Sequence, residues 1–326
     1  MNTEKKYKRQ TLIKLLDDKE RAQEYLDSVP LEGADLSCLN LAGYSFHGRY
    51  MYRTNFSESN LSRTDFTNAR LAKAILYRAV LEEANFHSAK LHSAGLSETK
   101  MQYIDLTGAE MMRAYFDKAN LYRAKMANAI MEGAYFREAD LTEADLRHAY
   151  MNNITLTSAI LRKANLTDAR LEDADLTNAN LKAAILTGSS LKDAIMMYTN
   201  LSGAVGLPTV SDYMAEHFER TEEGYIVYKS FSQYYDAPDY WKIKKGSIIT
   251  EAVNPNRTET CGCGINVGTL NWVTECSGDQ IYKLLIRWEW LGDTIVPYNS
   301  TGKIRCGKAM ILGAVGIRDY EKLLHK

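Results

Sequence analysis

The 326-residue sequence has only five prolines, and none of them lies between Pro30 and Pro208. Because proline cannot donate a backbone hydrogen bond, a long proline-free segment suits a fold in which nearly every part of the chain pairs with a neighbouring part. Tryptophan is missing from the same segment, since all four tryptophans follow residue 208. These two absences divide the chain into a long first part and a last third of different composition.

The sequence also lacks a long apolar run. No stretch approaches the roughly 20 apolar residues that cross a bilayer, and no signal-peptide core follows the N-terminal MNTEKKYKRQ. The five cysteines are an odd number, which favours reduced thiols over a disulfide framework. We therefore expect a cytoplasmic protein that has no membrane partner.

Neither sign of charge is in excess, because 40 Lys and Arg balance 41 Asp and Glu, for a formal net charge of −1. The total therefore indicates no general affinity for polyanions. A short basic stretch, KKYKR, lies in the N-terminal tail, where such charges most often serve solubility. From charge alone we expect no nucleic-acid partner.

A period of five residues dominates the first part of the chain. From Leu36 through Leu201, every fifth residue is Leu, Phe or Met, at all 34 positions, and Ala stands two residues before it at 23 of them. A five-residue stripe would spiral around an α-helix and would alternate between the faces of a strand. The pattern instead predicts a coil that bends at every repeat and turns this large central residue and the small one inward.

A period of twenty residues indicates four repeats per coil. Phe46, Phe66 and Phe86 are twenty apart, and outward charges alternate in sign at the same spacing. Two such series are Glu58, Arg78, Glu98, Lys118, Glu138 and Arg63, Glu83, Tyr103, Arg123, Glu143, Lys163. Coils stacked at the strand spacing of about 4.8 Å would place opposite charges side by side in both series.

The two ends of such a stack need covering, because unpaired backbone groups invite aggregation. Residues 11–28 have apolar residues at helical spacing, which predicts one amphipathic helix capped by Thr11 that covers the first coil. Arg49 occupies a small-residue position and cannot lie unpaired in a dry interior. We expect a bulge or splayed corner between Gly43 and Arg49.

The run A-D/N-L-x-x, clearest in EADLTEADLRHA and EDADLTNANLKAA, resembles the pentapeptide-repeat family over about residues 31–205. The resemblance implies a mainly β fold, a right-handed quadrilateral β-helix. With it we expect three segments: an N-terminal tail and capping helix over 1–30, the β-helix over 31–205, and a small α+β domain over 206–326. Some family members, the Qnr quinolone-resistance proteins, are dimeric acidic DNA mimics that bind DNA gyrase.

Charge argues against DNA mimicry here. Residues 31–205 contain 20 Asp and Glu against 19 Lys and Arg, whereas a duplex carries one negative charge per roughly 1.7 Å. We therefore expect that DNA gyrase is not the partner. Binding to gyrase as a DNA mimic is kept as an alternative function.

The last third of the chain lacks the five-residue period. The segments GYIVYKSF, WKIKKGSIITEAV, IYKLLIRWEWL, TIVPYN and IRCGKAMILGAV are predicted strands, and DYMAEHFER and RDYEKLLHK are predicted helices. As a whole, this segment resembles an uncharacterised C-terminal domain that is fused to pentapeptide repeats in bacterial and phage proteins. That resemblance implies no chemistry.

The C-terminal segment gives weak signals for metal or catalysis. Its four thiols, Cys261, Cys263, Cys276 and Cys306, form only a C-x-C pair, which departs from usual zinc spacing, so we predict no metal and leave zinc as an alternative. VYKSF followed by GCGIN weakly resembles ADP-ribosyltransferase-like folds, but Lys229 stands where that family has His or Arg. We predict no catalytic residue and no cofactor; an enzymatic domain with the rod as its targeting arm is the alternative.

The leading hypothesis is a non-enzymatic scaffold or recognition protein whose rigid rod binds an unidentified protein. The candidate contact residues are Tyr115 and Tyr135, twenty residues apart, together with Tyr150. For these tyrosines we favour a ladder that only stacks between coils, and the contact role is the alternative interpretation. The oligomeric state stays open.

Overall fold

The computed structural model describes residues 6–207, 209–231, 238, 240–253, 257, 264–276, 280–300 and 302–315. The chain divides into two compact units, Met1–Leu207 and Pro208–Lys326. Within the described residues, no helix is long and apolar enough to cross a membrane.

The first unit is a β-helix solenoid. Parallel bridges join residues that are always twenty apart, from Asp35 with Asn55 to Ile185 with Val205. Each coil therefore contains four five-residue repeats. Every central residue from Leu36 to Met196 is buried, and this confirms the prediction that the large residue of each repeat points inward.

Aromatic rings stack along the core at the predicted period of twenty. The ring centroids of Phe46 and Phe66 lie 5.2 Å apart, and those of Phe66 and Phe86 lie 4.5 Å apart. Phe116 and Phe136 repeat this arrangement further along, with centroids 4.5 Å apart and planes within 9°. Aromatic pairs of this kind add about 0.5–1.5 kcal/mol per pair beyond the burial of apolar area.

The Asp or Asn of the repeat motif closes a local turn. The Asp65 carboxylate accepts a hydrogen bond from the Thr67 backbone N–H at 2.9 Å and from the Thr67 hydroxyl at 2.6 Å. Asn165 makes the same two bonds to Thr167. These short side chains therefore satisfy turn N–H groups that the ladder between coils leaves free.

Each turn requires a residue with a left-handed backbone conformation at its second position. Every fifth residue from Gly33 to Gly203 has a positive φ, and 28 of these 35 residues are not glycine. A type II turn has a positive φ at this position. No Val, Ile or Thr occurs there, although seven threonines occupy the preceding turn position. Backbone strain therefore excludes β-branched residues from one row of the repeat.

We expect Ala183→Val to lower the free energy of unfolding of the solenoid by about 1–2 kcal/mol, because a β-branched residue resists the φ of 58° at this position. Ala183→Gly should be neutral or stabilising by less than about 1 kcal/mol. Urea denaturation followed by far-UV circular dichroism measures both. Ala127→Val, at the first turn position, is the matched control and should change stability by no more than about 0.5 kcal/mol.

Two short helices, and not the single predicted helix, precede the first coil. α1 spans Arg9–Leu15 and α2 spans Lys19–Ser28. Thr11 lies inside α1, so its prediction as a cap was wrong, while the Asp18 side chain caps α2 by accepting a bond from the Arg21 N–H. The chain breaks between the helices because Asp18 has an extended backbone and favours a cap over a helix interior.

The two helices cover the open edge of the first coil. The Gln23 side chain both donates to the Ser45 carbonyl at 2.7 Å and accepts from its N–H at 2.9 Å. The Arg9 guanidinium donates to the backbone carbonyls of Asp35 and Ser37. Edge groups that would otherwise lack ladder partners are thus satisfied, as solenoid caps require.

The expected bulge between Gly43 and Arg49 is absent, because the repeat turns continue unchanged through this segment. Arg49 is accommodated by its partners. Its guanidinium donates to the Asp27 carbonyl at 2.8 Å and to the Val29 carbonyl at 2.6 Å, and it lies 3.6 Å from the Asp27 carboxylate. The arginine therefore reaches out of the coil and fixes the end of α2.

We expect Arg49→Lys to destabilise α2 by about 1–3 kcal/mol, since an ammonium group cannot bond both carbonyls in the fork geometry of a guanidinium. Hydrogen exchange of the α2 amides should become correspondingly faster. Arg53→Lys, on an exposed side chain, serves as the control and should leave that exchange unchanged. Unaltered protection of α2 in Arg49→Lys would contradict the proposed anchor.

The second unit contains an antiparallel sheet of seven strands in the order β2-β7-β4-β1-β3-β6-β5. The strands are β1 Gly224–Ser230, β2 Ile248–Thr250, β3 Ile265–Gly268, β4 Ile281–Arg287, β5 Thr294–Ile295, β6 Lys303–Cys306 and β7 Lys308–Ala314. Its helices are α3 Val210–His217 and α4 Leu270–Cys276. Both faces of the sheet carry buried apolar clusters, one around Val227 and Leu284 and one around Ile226 and Leu285.

Several predicted elements of this unit differ from the structure. The predicted strand over 281–291 ends at Arg287 and continues as a 3-10 helix, Trp288–Asp293. α4 was not predicted, and TIVPYN is a strand only over Thr294–Ile295, next to Pro297, which cannot donate to a ladder. The predicted helix over 318–326 lies outside the described residues.

Candidate recognition surface of the solenoid

Each repeat turns three side chains outward, namely the residue before the central one and the two turn residues after it. Because a coil has four repeats, these side chains stack into four columns. We number the columns by their central residues in the first coil: column 1 begins at Leu36, column 2 at Leu41, column 3 at Phe46 and column 4 at Met51. Any partner of the solenoid meets these columns first.

Opposite charges from successive coils meet in columns 1 and 2, as predicted. In column 1, Arg78 Nε lies 2.8 Å from Glu98 Oε2, and this hydrogen bond holds the pKa of Glu98 below its usual range. In column 2, Arg123 Nε lies 2.7 Å from Glu143 Oε2. Exposed pairs of this kind add little stability. Their effect is to neutralise both columns locally.

Tyr115 and Tyr135 form a tyrosine pair on column 1. Their ring centroids are 4.9 Å apart and their planes lie within 7°, and the Arg137 guanidinium lies 4.9 Å from the Tyr135 centroid. Tyr115 is 45% exposed. The pair therefore stacks between coils and also presents aromatic surface to solvent, which combines the two interpretations offered for it.

Tyr150 does not join this pair. It bridges Ile130 and Arg170 in column 4, whereas the pair lies in column 1. Tyr150 is 45% exposed and the Arg170 guanidinium lies 4.9 Å from its ring centroid. The three predicted contact residues thus divide into a stacked pair and a separate aromatic on another column.

Exposed apolar side chains concentrate at the last repeat of column 1, a feature that the sequence analysis missed. Ile195, Met197 and Tyr198 are 50%, 50% and 74% exposed. The signal was present as three large apolar residues at outward positions of one repeat. Contiguous apolar surface of this kind is typical of contact sites.

The titratable residues of the second unit are spread over several elements. The Lys229 ammonium donates to the Asn266 carbonyl at 3.1 Å, and burial lowers the Lys229 pKa. The His217 ring stacks on Tyr213, with centroids 4.0 Å apart, and its Nδ1 lies 3.1 Å from the Tyr213 carbonyl. His217 is thereby held within its own helix, α3.

Of the four cysteines considered as zinc ligands, the structure describes the side chain of Cys306 alone. Cys306 is fully buried in the sheet, where burial raises its pKa to about 12, so the thiol stays protonated. Cys261 and Cys263 lie outside the described residues, and of Cys276 only the backbone is described. Among the residues that the structure describes, no group of three His, Cys, Asp or Glu side chains could hold a metal ion.

Comparison with known proteins identifies the repeat. A family model described as pentapeptide repeats matches the chain in 8 copies, over residues 26–68, 50–87, 64–102, 96–133, 119–157, 134–173 and 174–205. These matches run without a gap from residue 26 to residue 205, more than half of the chain. No curated protein matches the chain significantly.

Three solved structures illustrate the likeness. HetL, a pentapeptide repeat protein involved in heterocyst differentiation regulation from the cyanobacterium Nostoc sp. strain PCC 7120, is 23% identical, over 53% of this chain and 87% of HetL, with a TM-score of 0.45. Full-length QnrB1, a plasmid-mediated fluoroquinolone resistance protein, is 15% identical over 53% and 93%, with a TM-score of 0.26. Rfr23 from the cyanobacterium Cyanothece 51142 is 23% identical over 60% and 92%, with a TM-score of 0.14.

Proposed function

Because this chain belongs to the pentapeptide-repeat family, we propose that it is a non-enzymatic recognition scaffold whose solenoid presents its outward columns to a protein partner. The repeat pattern constrains the central interior residue at all 34 repeats and leaves the outward ones variable. A rigid stack of this kind loses little conformational freedom on binding, which favours recognition. The tyrosine pair is the proposed contact site.

The observation that carries this proposal is the stacked, partly exposed Tyr115 and Tyr135 beside Arg137. Tyrosine and arginine are enriched among the residues that dominate interface affinity. Stacking on Tyr135 holds the Tyr115 ring in place, so little side-chain entropy is lost when a partner covers it. The charges beside the pair cancel, because Lys118 lies 3.8 Å from Glu138 and Arg137 lies 3.3 Å from Asp117, and such a balanced surface suits a protein partner better than a polyanion.

We propose the finer architecture on the same grounds: a right-handed β-helix with a quadrilateral cross-section over residues 31–205, preceded by an N-terminal capping segment and followed by an α+β domain over 206–326. Four repeats per coil and the family membership support it. An experimental structure of the full chain would test both the handedness and the cross-section.

Quantitative co-purification of the full-length protein tests the scaffold proposal. We expect Tyr115→Ala with Tyr135→Ala to reduce recovery of the partner at least about tenfold, as loss of a central aromatic contact does. The matched control is Tyr103→Ala with Tyr122→Ala, another aromatic pair between coils, with centroids 5.7 Å apart on column 2. Equal losses in the two double variants would refute the tyrosine pair as the contact site.

DNA gyrase is the alternative partner, and the charge distribution of the solenoid argues against it. The ion pairs of columns 1 and 2 leave no continuous acidic surface on those columns, whereas a DNA mimic needs one. A supercoiling assay with the purified protein decides this, and inhibition at micromolar protein would favour the gyrase alternative over the present proposal.

A further inference from the structure

The three repeats of column 4 centred on Met51, Leu71 and Leu91 carry cations and no acids, and the turn that precedes them in this column contains Glu32. These repeats comprise residues 49–53, 69–73 and 89–93, and contain no Asp or Glu. Their basic residues are Arg49, Arg53, Arg70, Lys73 and Lys90. This local excess is hidden in the whole chain, whose formal net charge is −1.

Two of the five cations have acidic partners. Arg49 pairs with Asp27 at the cap, and Lys90 Nζ lies 3.2 Å from Glu110 Oε1 in the next coil. The other three, Arg53, Arg70 and Lys73, are exposed, and within the described residues no carboxylate lies within 4.0 Å of them. Three positive charges on this column are thus free to meet an external anion.

The arrangement differs from the alternation of charge at the second turn position of columns 1 and 2. Arg53 and Lys73 occupy the same turn position in successive coils, as Arg70 and Lys90 do at the bridge position. Like charges stacked at about 4.8 Å oppose each other. At the second turn position, columns 1 and 2 avoid this by alternating the sign of charge, whereas Arg162 and Lys182 stack as like charges at the first turn position of column 2.

Aromatic rings lie among these cations. Tyr50 is 51% exposed, and its ring is within 13° of parallel to that of Tyr52, with centroids 6.4 Å apart. The Arg53 guanidinium and the Lys73 ammonium lie 5.1 Å and 5.8 Å from the Tyr52 centroid. These cation contacts hold Tyr52 in place beneath the charges, and Tyr50 presents its ring to solvent.

We propose that this basic patch, defined as Tyr50, Tyr52, Arg53, Arg70 and Lys73, binds single-stranded nucleic acid. Its cations would contact phosphates and the exposed Tyr50 ring would stack on a base, the combination by which single strands are bound without sequence preference. The inference goes beyond the proposed scaffold function and uses a different column from the tyrosine pair. It also departs from the expectation, drawn from total charge, that the protein has no nucleic-acid partner.

Composition favours a nucleic acid over an acidic protein at this patch. Tyrosine and arginine are enriched in protein interfaces too, but the core of such an interface is depleted in lysine, whereas the outward positions of these three repeats carry four cations, two of them lysines, and no Leu, Ile, Val or Met. Base stacking needs only a flat aromatic ring and tolerates any sequence.

Fluorescence anisotropy with the full-length protein and a labelled 12-nucleotide single-stranded DNA of mixed sequence tests the proposal. Release of counterions from about three phosphates gives a salt slope of about −2, so affinity should fall roughly 20-fold between 50 mM and 200 mM salt. The triple variant Arg53→Gln, Arg70→Gln, Lys73→Gln should bind at least about tenfold more weakly at 50 mM salt and lose most of that salt dependence.

The matched control removes three cations from column 2, as Arg63→Gln, Arg123→Gln, Lys163→Gln, and should retain most of the affinity. Tyr50→Ala should weaken binding about fivefold or more, whereas Tyr50→Phe should preserve it, because the ring and not the hydroxyl stacks on the base. Circular dichroism of every variant checks that the solenoid is intact. The Tyr115→Ala, Tyr135→Ala variant should bind the DNA normally, which separates this site from the scaffold contact.

Three outcomes would overturn the inference. They are no measurable binding at 100 µM protein, equal losses in the column 4 and column 2 triple variants, and tighter binding to a poly-glutamate peptide of equal charge than to the oligonucleotide. The last result would assign the patch to an acidic protein partner. None of the three would bear on the tyrosine pair.

Discussion

Deletion of residues 156–175, one whole coil, should leave a folded solenoid, whereas deletion of residues 156–158 should unfold the repeats around it. After the twenty-residue deletion, Leu176 follows Thr155 and takes the place of Leu156, so every central residue still points inward. Repeat proteins depend on contacts between neighbouring units, and an intact register preserves those contacts. The three-residue deletion leaves two residues to form a repeat that needs five.

Far-UV circular dichroism and thermal melting distinguish the two deletions. The tryptophans provide an internal reference, because all four lie after residue 208 and report only on the second unit. We expect both variants to keep native tryptophan emission, with a cooperative solenoid transition in the twenty-residue deletion alone. A folded solenoid after the three-residue deletion would contradict the requirement for a strict five-residue register.

Phe66→Ala should lower the free energy of unfolding of the solenoid by about 4 kcal/mol. Phe66 is fully buried and stacks between Phe46 and Phe86, with the Phe56 ring edge-on at 5.7 Å. Removing a buried phenyl ring loses its transfer free energy and leaves a cavity, which together cost about 3–5 kcal/mol. The surrounding coils cannot collapse into the cavity, because their backbone ladders fix the spacing.

Urea denaturation, followed by circular dichroism for the solenoid and by tryptophan emission for the second unit, measures this loss. Ile75→Ala, at an outward position where the side chain is 46% exposed, is the control and should change stability by no more than about 0.5 kcal/mol. A loss below about 1 kcal/mol for Phe66→Ala would show that the phenylalanine stack is not a main source of solenoid stability.

The candidate contact surfaces were only partly predictable from the sequence. The spacing of Tyr115 and Tyr135 predicts neighbours in one column, and the structure places them in contact. Total charge does not reveal the basic patch, because acids elsewhere in the chain balance its cations. Arg53 and Lys73 stand twenty apart, so the same period that reveals the ion pairs of columns 1 and 2 also reveals their like charges.

The sequence by itself determined the solenoid. Its neighbours are always twenty residues away, so one repeated pattern specifies the coil, the buried stack and the outward columns together. Tertiary structure decided the rest: the break between α1 and α2, the reach of Arg49 to the end of α2, and the strand order β2-β7-β4-β1-β3-β6-β5. These features depend on contacts between segments that share no period, and no local pattern encodes which distant groups will meet.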